Sequence, residues 1–146
     1  MTQQKLITFQ LGEQVLGLDI MTIREIRAWS PTTPLPNVPA HLQGVVNLRG
    51  IVLPVFDLRE RIGWGRTNPS SRNVIIVVQI GSQMQGVVVD AVNDIVEIDR
   101  DDMQPPPDVG GASGGIIEGI ATVGDRMVMV LAANRLTSPL NHPLAT

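Results

Sequence analysis

Carboxylates and arginines are the side chains of this chain whose types could support chemistry. Asp57 and Asp90 each follow a run of aliphatic residues. Two carboxylates in one cleft can act as a general acid and a general base, but nothing in the sequence fixes these two near each other. A small β-barrel enzyme or ligand-binding protein that uses Asp57, Asp90 and an arginine is therefore a minor alternative.

Two further stretches resemble an ion site or a phosphate loop only weakly. Asp99, Asp101 and Asp102 have D-x-D-D spacing, but a calcium loop needs more oxygen ligands and a glycine at its turn. We therefore interpret them as a solvated loop. Residues 110–115 read G-G-A-S-G-G, and because no lysine or helical pattern follows, we interpret them as a flexible linker rather than a phosphate loop.

Histidine and cysteine usage also argues against a catalytic or metal centre. The absence of cysteine excludes disulfides, thiolate zinc sites and cysteine nucleophiles. His41 is predicted to lie on the surface of a helical turn, and His142 lies in a proline-rich tail, which is a poor place for catalysis. The sequence predicts no catalytic residue, no metal and no cofactor.

Charge and composition indicate a globular protein that does not bind nucleic acid. The 146 residues carry a net charge of −3, 43% are hydrophobic and only 3% are aromatic. An acidic chain with few stacking side chains is not suited to a phosphate backbone, although a basic face formed by Arg59, Arg61, Arg66 and Arg72 stays open. The apolar runs are too short to cross a bilayer, and the first ten residues do not resemble a signal peptide. We expect a cytoplasmic protein without direct membrane insertion.

The elements that must position these residues are mostly β-strands. Short runs rich in Val and Ile, separated by Gly, Pro or Asn, predict strands. The predicted strands are 6–11, 15–20, 44–48, 51–58, 74–80, 86–89, 116–121 and 127–131.

Turns, short helices and linkers connect the predicted strands. Residues 11–15 and 80–84 have the glycine chemistry of hairpin turns. The pattern over 21–28 leaves a short helix and a strand both open, and single helical turns are predicted at 39–43 and 131–137. Proline-rich or glycine-rich linkers are predicted at 29–39 and 102–115, and the second should be the most mobile part of the chain.

The chain also resembles itself. A shift of 69 positions aligns Gln10 with Gln79 and Gly12 with Gly81, and a shift of 75 aligns Gly44 with Gly119. Matching glycines and glutamines favour two halves of related architecture, at about 1–72 and 73–146, within one domain. Two small barrels packed together are the simplest arrangement.

Arg49 is the arginine whose context is most specific. It lies between an apolar strand and Gly50, where a guanidinium can form a bidentate contact with a carboxylate of a partner, or can form an internal salt bridge that braces the turn. The residues alone leave both open. Gly50 is expected to supply a backbone conformation that a side chain would forbid.

A larger set of motifs resembles the CheW family of chemotaxis coupling proteins. Residues 44–50 read G-V-V-N-L-R-G, and 51–59 read I-V-L-P-V-F-D-L-R after a proline-rich entry. Residues 23–26 (I-R-E-I), 86–92 (G-V-V-V-D-A-V) and 124–127 (G-D-R-M) resemble further family elements in the same order.

This resemblance implies both a fold and a role. The fold is all-β, with two five-stranded SH3-like barrels, partly intertwined around a continuous core, and short helical turns. The role is that of a non-enzymatic adaptor that couples the cytoplasmic tip of a chemoreceptor to the regulatory domain of a chemotaxis histidine kinase. The same adaptor in a non-flagellar pathway, such as one that controls pilus motility, stays an alternative.

The resemblance also implies a set of protein-binding residues. It assigns Arg49 to a partner contact and places the Ile23 and Ile95 positions at an apolar groove between the barrels, where a receptor helix docks with a charge, supplied by Glu25, at the rim. Without the resemblance, composition favours a core role for the aliphatic members. The expected protein-binding residues are Ile23, Glu25, Ile26, Gly44, Arg49, Gly50, Val92 and Ile95.

Overall fold

Ten β-strands form two five-stranded sheets in the computed structural model, which describes residues 3–65, 67, 72–106 and 116–136. In chain order the strands are β1 Gln3–Leu11, β2 Gln14–Asp19, β3 Ile23–Ala28, β4 Leu42–Leu48, β5 Ile51–Asp57, β6 Val74–Ile80, β7 Gln83–Val89, β8 Ala91–Asp99, β9 Ile117–Val123 and β10 Arg126–Leu131. Two short helices, α1 Leu58–Ile62 and α2 Ala133–Leu136, follow β5 and β10.

The two sheets have equivalent strand orders, and each is built from different parts of the chain. Barrel A has the order β8-β1-β2-β10-β9, and barrel B has the order β3-β6-β7-β5-β4. In each, one parallel pair, β2 with β10 or β5 with β7, joins two antiparallel hairpins. Barrel A combines the first two strands with the last three, while barrel B contains the middle of the chain. The predicted all-β fold of two intertwined SH3-like barrels is confirmed.

Three apolar clusters, rather than one continuous core, stabilise this arrangement. Val55 and Val88 lie in a cluster formed by barrel B alone, and Leu6 and Val130 lie in one formed by barrel A alone. The largest cluster takes residues from both sheets and from both helices, among them the fully buried Phe9. Strands β1, β5, β6 and β7 bury consecutive residues on both faces. Their sequences are therefore continuous apolar runs rather than alternating ones.

Two predicted hairpins have closely matching turns. Gly12 and Gly81 have φ of +59° and +63°, a region that glycine enters without steric cost. The Gln10 side chain donates to the carbonyl of Gly12 at 3.0 Å, and Gln79 donates to Gly81 at 3.1 Å. Positions 69 residues apart therefore have the same local structure at these turns.

Several local predictions need correction. Residues 21–28 form a 3₁₀ turn, Ile20–Thr22, followed by β3. The helical turn predicted at 39–43 is wrong, because after one hydrogen bond from Leu42 N to Pro39 O the chain enters β4. The turn predicted near the end of the chain is confirmed as α2.

Two elements were not predicted at all. β8 escaped prediction because both of its faces carry polar residues, and α1 was hidden within the apolar run that includes β5.

The acidic cluster has a structural role in the described part of the chain. Asp99 accepts a hydrogen bond from the backbone N–H of Asp101 at 3.0 Å and so caps the 3₁₀ turn Arg100–Asp102. No group of three or more carboxylates or histidines that could hold a metal occurs among the described residues. The glycine-rich stretch 110–115, Arg66 and His142 lie outside the described residues.

Candidate protein-binding site

The turn between β4 and β5 presents Arg49 to solvent. Arg49 has φ of +51° and Gly50 has φ of +88°, as a two-residue type I′ turn requires. The Asn47 side chain accepts a hydrogen bond from Gly50 N at 2.7 Å and closes the turn. A non-glycine residue in this region costs about 1–2 kcal/mol, so the fold holds Arg49 in a conformation that glycine would adopt freely.

Arg49 and Glu25 form a direct ion pair. Arg49 Nη2 donates to Glu25 Oε1 at 2.7 Å, and Arg27 Nη1 lies 3.6 Å from the other oxygen, Glu25 Oε2. The hydrogen bond from Arg49 lowers the pKa of Glu25, with Arg27 adding to the effect, and the same bond raises the pKa of Arg49. The internal salt bridge that the sequence left open is therefore formed. The Arg49 side chain is still 69% exposed, so the alternative, a contact with a carboxylate of a partner, also stays open.

This ion pair joins the two edges of barrel B. Glu25 lies in β3, the first strand of the sheet, and Arg49 directly follows β4, the last. No other side-chain contact between these two edges occurs among the described hydrogen bonds and ion pairs. A substitution of Glu25 or Arg49 therefore removes a side-chain contact with the opposite edge of the barrel.

The four candidate aliphatic residues share one kind of surface. Ile23 pairs with Val78 and Ile26 with Ile76, while Val92 pairs with Phe9 and Ile95 with Ile7. Directly paired residues point to the same face of a sheet, and Val78, Ile76 and Phe9 belong to the cluster between the barrels. All four candidates thus lie on the inter-barrel face, on the edge strands β3 and β8.

Exposure divides these four residues into two pairs. Ile23 and Val92 pack against the inter-barrel cluster, whereas Ile26 is 42% and Ile95 is 58% exposed. The expectation from composition that all four are core therefore fits only the first pair. Ile26 on β3 and Ile95 on β8 are thus exposed apolar residues at the margin of the inter-barrel face, whereas Glu25 pairs with Val77 and lies on the opposite face of β3.

Gly44 has a structural explanation of its own. Its φ is +151°, and a Cβ atom there would meet the carbonyl oxygen of Thr33 at 2.4 Å. Thr33 bridges Val45 by two backbone hydrogen bonds of 2.8 and 2.9 Å. Gly44 therefore allows the proline-rich segment to lie directly on β4, a role separate from that of the Glu25–Arg49 pair.

A further apolar surface was missed by sequence reasoning. Ile51 and Val52 are 50% and 69% exposed, and with Met84 and Gln85 they line a cleft of about 430 Å³. Gln85 is 97% buried, yet its Oε1 has no hydrogen-bond partner among the described residues. The continuous apolar run 51–58 concealed this patch, because its sequence does not show which residues face outward.

The two carboxylates considered for catalysis have separate structural partners. Asp57 is buried and accepts hydrogen bonds from the N–H and the hydroxyl of Thr67, both at 2.6 Å. Asp90 accepts from Gly12 N at 2.7 Å. A cleft of about 420 Å³ is lined by Asp57 and Thr67 but not by Asp90, so the pair does not meet in one site.

Two of the four arginines considered for a basic face, Arg59 and Arg61, are engaged within the chain. Arg59 lies 3.9 Å from Asp90, and Arg61 donates to the carbonyl of Arg135 at 3.1 Å. In the part of the chain that the structure describes, no helix is both long enough and apolar enough to span a membrane.

The comparisons with known proteins all match the same family. Residues 5–140 match the model of the CheW-like domain. The chain is 41% identical over 129 residues to the chemotaxis protein CheW of Rhizobium meliloti, covering 88% of this chain and 83% of that protein. It is 39% identical over 136 residues to a probable chemotaxis protein CheW of Rhizobium etli, covering 92% and 88%. The crystal structure of the scaffolding protein TtCheW from Thermoanaerobacter tengcongensis superposes with a TM-score of 0.83 at 35% identity, covering 93% of this chain and 88% of that one.

Proposed function

The chain belongs to the CheW-like family, and on this basis we propose that it couples the cytoplasmic tip of a chemoreceptor to the regulatory domain of a chemotaxis histidine kinase. Family membership makes it a scaffold protein rather than an enzyme. Its output is then a set of binding surfaces with a fixed relative geometry. It would act in the cytoplasm, recruited to receptor arrays at the membrane.

The receptor surface in this proposal is the exposed margin of the inter-barrel face. Ile26 and Ile95 offer exposed aliphatic side chains to a partner. Glu25 precedes Ile26 in β3 and supplies a carboxylate at the same edge strand, on its opposite face. A helix that docks in an apolar groove needs such walls and a charge at the rim. Ile23 and Val92 contribute indirectly, since they seat β3 and β8 on the core.

The kinase surface in this proposal is the apolar patch that follows Arg49. Ile51 and Val52 supply exposed apolar area in barrel B, and the partly buried Met84 lines the same cleft. Gln85 Oε1 supplies a buried acceptor that lacks a partner among the described residues. A buried unsatisfied acceptor costs about 1–3 kcal/mol, and a donor from a bound partner would recover this. The kinase domain is expected to resemble the adaptor, so a barrel end is a suitable contact.

The Glu25–Arg49 ion pair carries the proposal, because it connects the two surfaces. Glu25 belongs to the strand with the receptor-facing Ile26, and Arg49 belongs to the turn that opens the kinase-facing patch. A partner carboxylate that draws Arg49 away would leave Glu25 with Arg27 alone. Occupancy of one surface would in this way change the electrostatics of the other.

A titration with both partners tests the proposal. The labelled chain is titrated with a chemoreceptor signalling tip and with the regulatory domain of the kinase, separately and together. We expect separate binding to each and a ternary complex with both. Binding to neither, with the fold intact by circular dichroism, would overturn the proposed function.

A further inference from the structure

One of the two matching hairpin turns is covered by a pair of charged side chains. At the β1–β2 turn, Gly12 N donates to Asp90 Oδ2 at 2.7 Å. The guanidinium of Arg59 lies over the same turn, with Nη1 3.9 Å from Asp90 Oδ2 and 3.3 Å from the position of a Cβ atom on Gly12. The chain therefore shows how a guanidinium fits against this type of turn.

Among the described residues, the matching β6–β7 turn has no such cover. No atom of the described residues, apart from the glycine and its two chain neighbours, lies within 4 Å of the Cβ position of Gly81, and the turn borders a cleft of about 360 Å³. The shift of 69 residues that aligns Gly12 with Gly81 also aligns Met21 with Asp90. Met21, which is 85% exposed, is therefore the counterpart of Asp90 and carries no charge.

Asn134 is the counterpart of Arg59. Asp57 N donates to His41 O at 2.7 Å before α1, and Ala132 N donates to Ile116 O at 2.8 Å before α2. The donors of these two bonds are 75 residues apart, and so are the acceptors. The same shift aligns α1 with α2 and makes Asn134 the counterpart of Arg59. Both members of the covering pair are thus replaced at Gly81.

Three charged side chains line the cleft beside Gly81: those of Asp19, Arg100 and Glu118. Arg100 contacts Glu118 at 3.2 Å and Gln4 at 2.6 Å, so Arg100 and Glu118 compensate each other. Asp19 also lines the cleft; its Oδ1 accepts from Met21 N at 2.9 Å, and it forms no ion pair with any described residue. The remaining charge in the cleft is therefore one carboxylate.

We propose that this cleft binds an arginine side chain of a partner protein. The guanidinium would lie over the Gly81 turn, as that of Arg59 lies over Gly12, and would pair with the Asp19 carboxylate, as Arg59 pairs with Asp90. The site is distinct from the receptor and kinase surfaces proposed above.

The probe for this site is N-acetyl-arginine methylamide, with the citrulline analogue as its neutral control. The ¹⁵N-labelled full chain is titrated while the amide resonances of Gly81 and Gly12 are followed. We expect a saturable shift at Gly81 with a Kd in the millimolar range, and no shift at Gly12, whose turn is already covered. An equal response to the citrulline compound, or no response at Gly81, would overturn the proposal.

Two variants test the assigned contacts. Asp19→Asn keeps an acceptor for Met21 N and removes the charge, so the affinity for the arginine probe should fall by about threefold to fivefold, as expected for one exposed ion pair. Asn134→Arg should place the chain's own guanidinium in the cleft, shift the Gly81 resonance without any probe and block the probe. Unchanged binding to both variants, with otherwise unchanged spectra, would contradict the assignment.

Discussion

Arg49 donates to Glu25 across 2.7 Å and so connects the first and last strands of barrel B. The contact is made from a strained turn, because Arg49 has φ of +51°. A solvent-exposed ion pair contributes little to stability because water and salt screen it, and the backbone conformation of Arg49 opposes that contribution. The pair is thus better suited to setting the position of a guanidinium than to stabilising the fold.

Arg49→Gly separates these two effects. Glycine adopts positive φ freely, so the variant should unfold at a urea concentration equal to or higher than that of the unmodified chain. The same variant should lose affinity for a partner that uses Arg49. Arg49→Lys is the matched control, since it keeps the charge and the strain. A large loss of stability in Arg49→Gly would show that the ion pair is structural instead.

The ion pair also predicts an acid-dependent stability. The pKa of Glu25 is lowered from its ordinary value of 4.5, mainly by the hydrogen bond from Arg49. A lowered folded-state pKa contributes stability above the unfolded value and loses it as the pH falls through the folded value. The difference in unfolding free energy between the unmodified chain and Glu25→Gln should be constant above pH about 5 and shrink below pH about 4. A difference that does not change over this range would contradict the pairing.

His41 predicts a second, separate pH dependence with its own sign. Burial lowers the pKa of His41 from 6.5, and the charge of Arg61 lowers it further. Its ring stacks on Phe56 with centroids 5.6 Å apart. The unfolded state takes up the proton first as the pH falls, so stability should decline below pH about 6.5. His41→Phe keeps a stacked ring and should flatten this decline in urea unfolding curves; an unchanged decline would assign it elsewhere.

Gly44→Ala should destabilise the fold strongly. The new Cβ would meet the carbonyl oxygen of Thr33 at 2.4 Å, and the backbone φ of +151° disfavours any side chain. We expect a loss of about 2–4 kcal/mol in thermal or urea unfolding, from backbone strain together with overpacking. Gly124→Ala is the matched control, because its φ is +61° but no atom of the described residues beyond its chain neighbours lies within 4 Å of the new Cβ position. Similar losses for the two variants would remove the role given to the Thr33 contact.

Much of the strand framework could be predicted from the sequence, since fully buried strands are continuous apolar runs. Hairpins at Gly12 and Gly81 followed from glycine chemistry, and the intertwined fold followed from the family resemblance. β8 could not be predicted because Asn93, Asp94 and Glu97 are exposed and interrupt the apolar pattern. The short α1 was hidden because Leu58 and Ile62 are buried and continue the run of β5.

The candidate residues could be predicted only as a set. Sequence does not show that Glu25 and Arg49 bind each other, because 24 residues separate them and the contact depends on the curvature of barrel B. It also does not divide Ile23, which packs on the core, from the exposed Ile95. The exposure of Val52 could not be predicted for the same reason. The alternation along a strand shows which residues share a face, but it does not show whether another element covers that face.

The central claim is that two different surfaces of one rigid fold bind two partners. The most direct measurement is the affinity of Ile95→Arg and Val52→Arg for the receptor tip and for the kinase regulatory domain. Both positions are more than half exposed, so both variants should fold. We predict that Ile95→Arg loses at least about tenfold in receptor affinity, or about 1.4 kcal/mol, and keeps kinase affinity, with the reverse for Val52→Arg. Equal losses towards both partners, or none towards either, would contradict the account.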